Sequence, residues 1–547
     1  MNTVSDKPRI RVPAGRGALP AVQQLSRPQA RSGQYLRDTR SAVLSTRMAP
    51  LTDSRDNIRR AWQRVAGLAQ DLILNSGRLS GVMQQIISDT VGAELQLNPK
   101  PDPITLAKLG YSDKEARELI DLIKREWKYW SWNPRECDER GKLTVPQMLD
   151  IGLRHHLGYG ETTGIIEWWP KLLRSRHRVR SGTKVLMLPP HRLSQETNSA
   201  VDLYQGVFHD ERGRPVQYRF NDRRAGLPIT RDVAARDGLG LAKVIHIFEA
   251  NEADDVRGIS PLAGAFRKHV QHEMLEDATL QMAVLQTSLG IALTSAAPSA
   301  EAFEALEALK DTVGNDAIEV AESLAALLAS QINKAQEGEI SFGTDPRVSH
   351  LGPGENLEIL GVKTPGPQYE PFNASLSRDM ARALGVTYES LTLDNRGATY
   401  ASSRVGISSI WPVVVRRRER ISAPQAQQIY EARLDEMVFD GTIPVKGGYE
   451  AFDANRDRLC WAQWRGPAKP SADDKKSAEA AAKRIEAYTS TVEVESAELG
   501  HDGQELREQQ LEEHNWYVSK GMRSPYERAG ISTPDNDRDD TDQSDAQ

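Results

Sequence analysis

Residues 390–411 read SLTLDNRGATYASSRVGISSIW, and the reading of the whole chain turns on them. Asp394, Asn395 and Gly397 are turn formers: the short polar side chains bond back to their own backbone, and glycine takes positive φ without steric cost. From Tyr400 onward the small residues Ala401, Ser402 and Ser403 open a long helix-compatible run. The loop offers no glycine-rich phosphate cradle with its lysine, and no cluster of histidines and carboxylates for a metal. Local chemistry therefore does not explain a bare loop that feeds a long helix.

That run continues to Phe439 with Pro412 and Pro424 inside it. Each proline removes a backbone donor and crowds the preceding turn, so a kinked or broken helix is expected. Between the prolines, the charged run Arg416 to Arg420 reads as a solvated face.

Working back from the loop, residues 370–385 predict a shorter helix stopped by Gly385. Strands are expected at 339–343, 347–351 and 357–363, behind two alanine-rich helices at 301–313 and about 316–335. Upstream, Ser260 can cap and Pro261 suits a first helical turn. A helix from there to about Ser288 would be roughly 40 Å long, more than a compact core covers. The segment 159–248 has the texture of short strands, with a hairpin turn at HDERGRP. In the strand KVIHIFEA, His246 reads as packed and satisfied rather than as a ligand. Nearer the start, 56–91 and 113–132 carry apolar residues at helical spacing, the first with a break near Asn75 to Gly77.

A chain of 547 residues exceeds what one core usually supports, so several segments are expected. It is 39% hydrophobic and 27% charged and has no apolar run of about eighteen residues, so no membrane span is expected. Its start has no apolar h-region, so no secretory signal is expected. Cys137 and Cys460 are far apart and outside any zinc spacing, which points to structural thiols in a reducing compartment. Net charge is -6, unevenly placed. Residues 1–60 hold twelve Lys or Arg against four acids, and the end, STPDNDRDDTDQSDAQ, is acidic. Both ends read as flexible tails.

Catalytic motifs find no support. GYGETTG at 158–164 is not a dinucleotide fingerprint, and no P-loop, H-E-x-x-H or G-x-S-x-G occurs. His155 and His156 are adjacent and diverge on a helix. Asp254 and Asp255 precede Arg257, and a loop salt bridge is the expected use of these carboxylates rather than a magnesium site. No cofactor and no metal site is expected, and the chain reads as a non-enzyme.

Several blocks together resemble a known family. HIFEANEADDVRGISPLAGAF, then DATLQMA, then HLGPGENLEIL, then YEPFNASLSRDMARALGVTYESLTLDNRGATYASSR occur in an order and spacing similar to the portal proteins of tailed bacteriophages, of the lambda type. The resemblance implies an α+β portal fold, assembled as a ring, usually of twelve subunits, at one capsid vertex. On that plan 1–55 is a flexible basic N-terminal arm, 56–260 the first part of the wing and 261–288 a stem helix. Residues 289–338 hold the clip and returning stem, and 339–389 the second part of the wing. The tunnel loop is 390–402, the long kinked helix 403–440, the crown 441–525 and the acidic tail 526–547. Asp394, Asn395, Arg396, Gly397, Thr399 and Tyr400 would face the DNA channel, with helix kinks at Pro412 and Pro424.

The implied partners are further copies of the chain, the terminase large subunit, head-completion or connector proteins, capsid and scaffold proteins, and double-stranded DNA passing without sequence specificity. The implied place is the virion vertex, after assembly in the host cytoplasm. A conduit must not grip its cargo, since each phosphate neutralised by Lys or Arg adds affinity. Twelve chains at -6 each would suit passage. Two other classes stay open from the residues alone. One is a sequence-independent DNA-binding ring or clamp lined by RRRER and the basic arm. The other is a metal-dependent phage hydrolase using Glu252, Asp254 and Asp255.

Overall fold

The computed structural model describes residues 51–224, 227–289, 366–470 and 474–526. The expected strand GIALTS, the helices at 301–313 and 316–335 and the strands between 339 and 363 lie outside these residues, as do most of the basic arm and the acidic tail.

The first two helices, α1 (Ser54–Asn75) and α2 (Gly77–Thr90), are one amphipathic run split at Ser76. The Ser76 side chain accepts from Leu79 N and caps α2, so the interruption near Asn75 has a local cause. After β1 (Gln96–Pro99) and α3 (Pro103–Lys108) comes α4 (Asp113–Ser131). A reciprocal capping box between Ser112 and Glu115 starts it. Its buried face of Leu119, Ile123, Trp127 and Trp130 follows the 3.6-residue period. A short α5 (Pro134–Cys137) leads to α6 (Val145–Tyr159).

The strand-rich part contains β2 (Glu161–Trp168), α7 (Lys171–His177), β3 (Thr183–Leu188), β4 (Leu203–Tyr204), β5 (Val207–His209), β6 (Pro215–Arg224), β7 (Leu227–Ala234) and β8 (Val244–Phe248). Two antiparallel sheets result, one in the order β3-β2-β8 and the other the meander β4-β5-β6-β7. In the first, β2 is central and pairs Thr163 with Leu188 on one side and with His246 on the other. Burial on both faces explains why β2 reads as a nearly continuous small and apolar run. The HDERGRP turn joins β5 to β6 as expected.

Then follow α8 (Ala263–Leu289), α9 (Tyr369–Leu384), α10 (Tyr388–Thr392), α11 (Tyr400–Arg417), a π-helical turn (Arg418–Ser422) and α12 (Ala423–Phe439). The chain continues through α13 (Gly448–Ala454), α14 (Arg456–Leu459), β9 (Ala462–Arg465), α15 (Asp474–Glu486), α16 (Val492–Glu498) and α17 (Gly503–Ser519). β9 returns to pair with β1, Leu97 opposite Trp464. Tyr430 of α12 is fully buried at the centre of the largest core, edge-on to Trp127 and Trp464 with ring centroids 5.7 and 6.1 Å away. A smaller core under the meander gathers Leu193, Val207, Tyr218, Phe220 and Val233.

Three expectations need correction. The helix after β8 starts at Ala263, not at Pro261. The Ser260 hydroxyl donates to Leu157 O at 2.6 Å and accepts from Leu262 N, so it ties the approach to α6 instead of capping a helix at 261. Arg257 does not pair with Asp254 or Asp255. It is wholly buried and pairs with Glu161, while Asp255 accepts the backbone N–H groups of Asn251 and Glu252.

The third correction is RRRER, which is not a solvated face as a whole. Arg418 is buried, its Nε donating to Thr90 O at 2.8 Å and its Nη2 to Asp89 O and Pro467 O at 3.2 and 3.3 Å. It closes the carbonyl end of α2, where unpaired acceptors favour a cation. Arg416 and Arg420 on the exposed side share Glu249.

The two prolines behave differently. Pro412 sits within α11. Pro424 lies in the first turn of α12, directly after the π turn, in which Ala423 N bonds to Arg418 O, five residues back. The wider turn accommodates the donor missing at Pro424.

Candidate functional site

The loop between α10 and α11 is built from its own residues. Gly385, at φ 68°, ends α9 in the left-handed conformation. Thr387 caps the short α10, whose last residue hands over to Leu393 at φ 54°. This left-handed conformation is uncommon for leucine, and the side chain is 82% exposed.

Asp394 then organises the turn. Its Oδ1 accepts from Arg396 N and Nε, both at 3.0 Å, and its Oδ2 from Arg396 Nη2 at 2.8 Å. Arg396 Nη2 also reaches Glu370 at 3.1 Å. Hydrogen bonds from Arg396 hold the Asp394 carboxyl down at about 2, so the pair stays charged at neutral pH. Ala398 N closes onto Asn395 O at 3.1 Å. Gly397 is at φ 75° with open space where a Cβ would stand, so backbone conformation and not crowding calls for glycine there. Thr399 caps α11 through a reciprocal pair with Ser402, and Tyr400 is its first residue. Asp394, half-buried, and the exposed Asn395, Arg396, Gly397 and Thr399 thus form one turn that leads into the long helix. The one cation in the turn, Arg396, pairs with both Asp394 and Glu370.

A second constellation escaped the sequence reading. Glu161 sits in GYGETTG and Arg257 in RGISPLA, and the two segments interlock. A Cβ at Gly160 would stand 2.2 Å from the Ile259 carbonyl carbon, and one at Gly258 would stand 2.1 Å from Gly160 O. Both glycines permit backbone to lie against backbone. There Arg257 Nε bonds both Glu161 oxygens at 2.8 Å, Arg257 Nη1 donates to Gln205 O at 3.0 Å, and the Trp62 ring lies 4.7 Å from the guanidinium carbon. His246 Nε2 contacts Glu161 Oε2 at 3.1 Å, so this histidine is packed and partnered as expected. Burial opposes the charge on Glu161, yet Arg257 and His246 outweigh it and hold the carboxyl down at about 2. The signal available in the sequence was the pair of glycines flanking one acid and one arginine, about a hundred residues apart.

Among the described residues no three His, Cys, Asp or Glu side chains are placed to hold a metal ion, and no helix is long and apolar enough to cross a membrane. Both cysteines are buried, and burial pushes the Cys137 thiol up to about 12. His155 and His156 are held down to about 4 by burial, against Tyr159 and Gly160 O respectively.

The profile of the family described as "Phage portal protein, lambda family" matches residues 40–418, from the end of the N-terminal arm through the candidate loop and α11. The chain belongs to that family, whose members are structural proteins with a portal function at the capsid vertex. It is similar to "Portal protein B" of Escherichia phage lambda, 26% identical over 476 residues that cover 84% of each chain. It is also similar to "Portal protein" of Escherichia phage N15, 26% identical over 480 residues, 85% of this chain and 86% of that one. Among solved structures it resembles a chain of "Neck of empty GTA particle computed with C6 symmetry", with TM-score 0.35 and 15% identity over 84% of this chain and 97% of the other. A second, "Neck of native GTA particle computed with C12 symmetry", has TM-score 0.28 and 14% identity over 76% and 98%.

Proposed function

We propose that the chain is one subunit of a ring of twelve through which duplex DNA is packaged and ejected, with residues 394–400 lining the channel. Membership of the portal family carries this reading. The loop supports it physically: it is exposed, set by internal bonds, and its Arg396 is neutralised by Asp394 and Glu370. Contact with passing phosphates is then weak and blind to sequence.

Ring closure would cover apolar surface that a single chain leaves bare. Met274 and Leu280 on α8 and Val405 on α11 are each more than half exposed. On the same reading 56–260 and 339–389 are the wing, 261–288 a stem helix, 403–440 the long helix and 441–525 the crown. The segment 289–338 would be the clip that meets the terminase large subunit during packaging and head-completion proteins afterwards. Capsid and scaffold proteins would surround the ring at the virion vertex, after assembly in the host cytoplasm.

Removing Arg396 and Gly397 tests the channel loop. Folding and ring assembly should be nearly unchanged, because an exposed turn contributes little burial. The ratio of full to empty heads from a complemented phage should fall, and wild-type proportions of full heads would refute the assignment.

A further inference from the structure

The chain is acidic overall, but its charge is segregated within the described residues as well as at its ends. From Trp168 to Gln195 there are seven Lys or Arg and no Asp or Glu. Arg135, Lys171, Arg176, Arg178 and Arg180 gather on and beside α7, all exposed, and none of them has an ion pair among the described residues. Arg135 reaches His177 O, which joins the two segments. The nearby carboxylates are already engaged. Glu136 accepts the backbone N–H groups of Arg180 and Ser181, and Asp440 and Glu436 take Arg174, which faces inward. Five unpaired cations on one surface repel one another, and an anionic partner relieves that cost.

One such partner lies in the same sequence. Residues 532–547 hold six Asp and one Arg. The preceding chain doubles back along α17, where the Tyr526 hydroxyl donates to Glu513. Glu513 lies eleven residues, or about 16 Å of helix, from Asp502. Asp502 pairs with Lys124 of α4 at 2.6 Å. About 9 Å further along α4, Trp130 Nε1 donates to Ser181 Oγ at 2.8 Å, next to Arg180. An extended chain covers about 3.3 Å per residue, so the segment between Asp535 and Asp545 begins and ends roughly 30 and 60 Å beyond Tyr526, which spans this path.

We propose that the acidic segment 532–547 docks on the Arg135, Lys171 and Arg176 to Arg180 surface of its own chain. Tethering gives it an effective concentration in the millimolar range, which a free polyanion must exceed to displace it. On the function proposed above, the segment would thereby keep DNA from being held on this surface. Docking of this kind is independent of ring formation and of the channel loop.

Zero-length carbodiimide coupling of the full-length protein tests it, because the surface has one amine, Lys171, and the tail only carboxylates. Lys114 is the control: its side chain is 88% exposed and it stands on α4 away from this arginine cluster. At low salt, amide links from Lys171 to Asp535–Asp545 should exceed those from Lys114 about fivefold. They should vanish near 1 M salt, where screening acts over about 3 Å. They should also fall at least severalfold in the Arg176→Ala, Arg178→Ala, Arg180→Ala variant, which keeps Lys171. In a mixture of light and isotope-labelled protein the linked peptides should carry one label. Equal linking of Lys171 and Lys114, persistence in high salt or in the triple variant, or mixed labels would each overturn the proposal. So would protection of Lys171 by a short DNA duplex with no tail links, since the surface would then serve nucleic acid.

Discussion

Glu161 and Arg257 show what one residue does for this fold. Both side chains have no exposed surface, and the guanidinium and the carboxylate lie directly against each other. Glu161→Gln keeps the volume and leaves the guanidinium buried without its counter-ion, a loss of about 3–5 kcal/mol. Chemical denaturation should show it as a lower midpoint with an unchanged slope. The acid sensitivity follows from the same group. Its folded pKa is depressed to about 2, so its stabilisation is complete above the unfolded carboxylate range and is lost as pH falls through about 2. His155 and His156, held to about 4, act in the same direction: folding favours their neutral form, fully above about 6.5, and the advantage erodes as pH falls towards about 4. Denaturation midpoints should therefore rise with pH from about 2 to 6.5 in the wild type, and the lowest part of that rise should flatten in Glu161→Gln. In the sequence these roles were hard to read. Beyond the glycine next to each, an acid inside GYGETTG and an arginine beside two aspartates give no sign of each other, because their pairing is a tertiary fact.

Elements were easier to read than contacts, and for a physical reason. The helices α1, α2, α4 and α9 and the strands β2, β3, β6 and β8 follow from periodicity and caps, which are local. The break at Ser76, the stop at Gly385 and the turn from Asp394 to Thr399 were legible because single residues dictate them. Arg418 was not legible. A charged run is ordinarily solvated, and only the return of Pro467 and the end of α2 turns its middle residue inward. Removing it leaves the buried carbonyl of Thr90 and the half-buried carbonyls of Asp89 and Pro467 without this donor, so Arg418→Ala should cost about 2–3 kcal/mol in thermal or chemical unfolding. Arg420→Ala, two residues away on the exposed face, should change stability by less than about 1 kcal/mol. Equal effects from the two substitutions would contradict the capping role. The same helix shows why the prolines could not be ranked from sequence: Pro424 follows a π turn fixed by packing around Arg418 and Ile421, whereas Pro412 stands in a continuous helix.

At the scale of the molecule, the family was legible because ordered blocks such as RGISPLA and ARALGVTYESLTLD carry it, and the family match confirms it across residues 40–418. The strand-rich segment and the helices around it were read as a mixed architecture, and the mixed sheets and helices are what the described residues form. Assembly is different in kind. It depends on surfaces that the described residues leave exposed, such as Met274 and Leu280 on α8 and Val405 on α11, and a sequence marks these only as apolar residues. The ring is therefore the claim most in need of measurement. Negative-stain images of the purified protein at micromolar concentration should show closed rings of twelve subunits with a central hole wide enough for duplex DNA. A monodisperse monomer in the same preparation, by light scattering and in the images, would contradict the account.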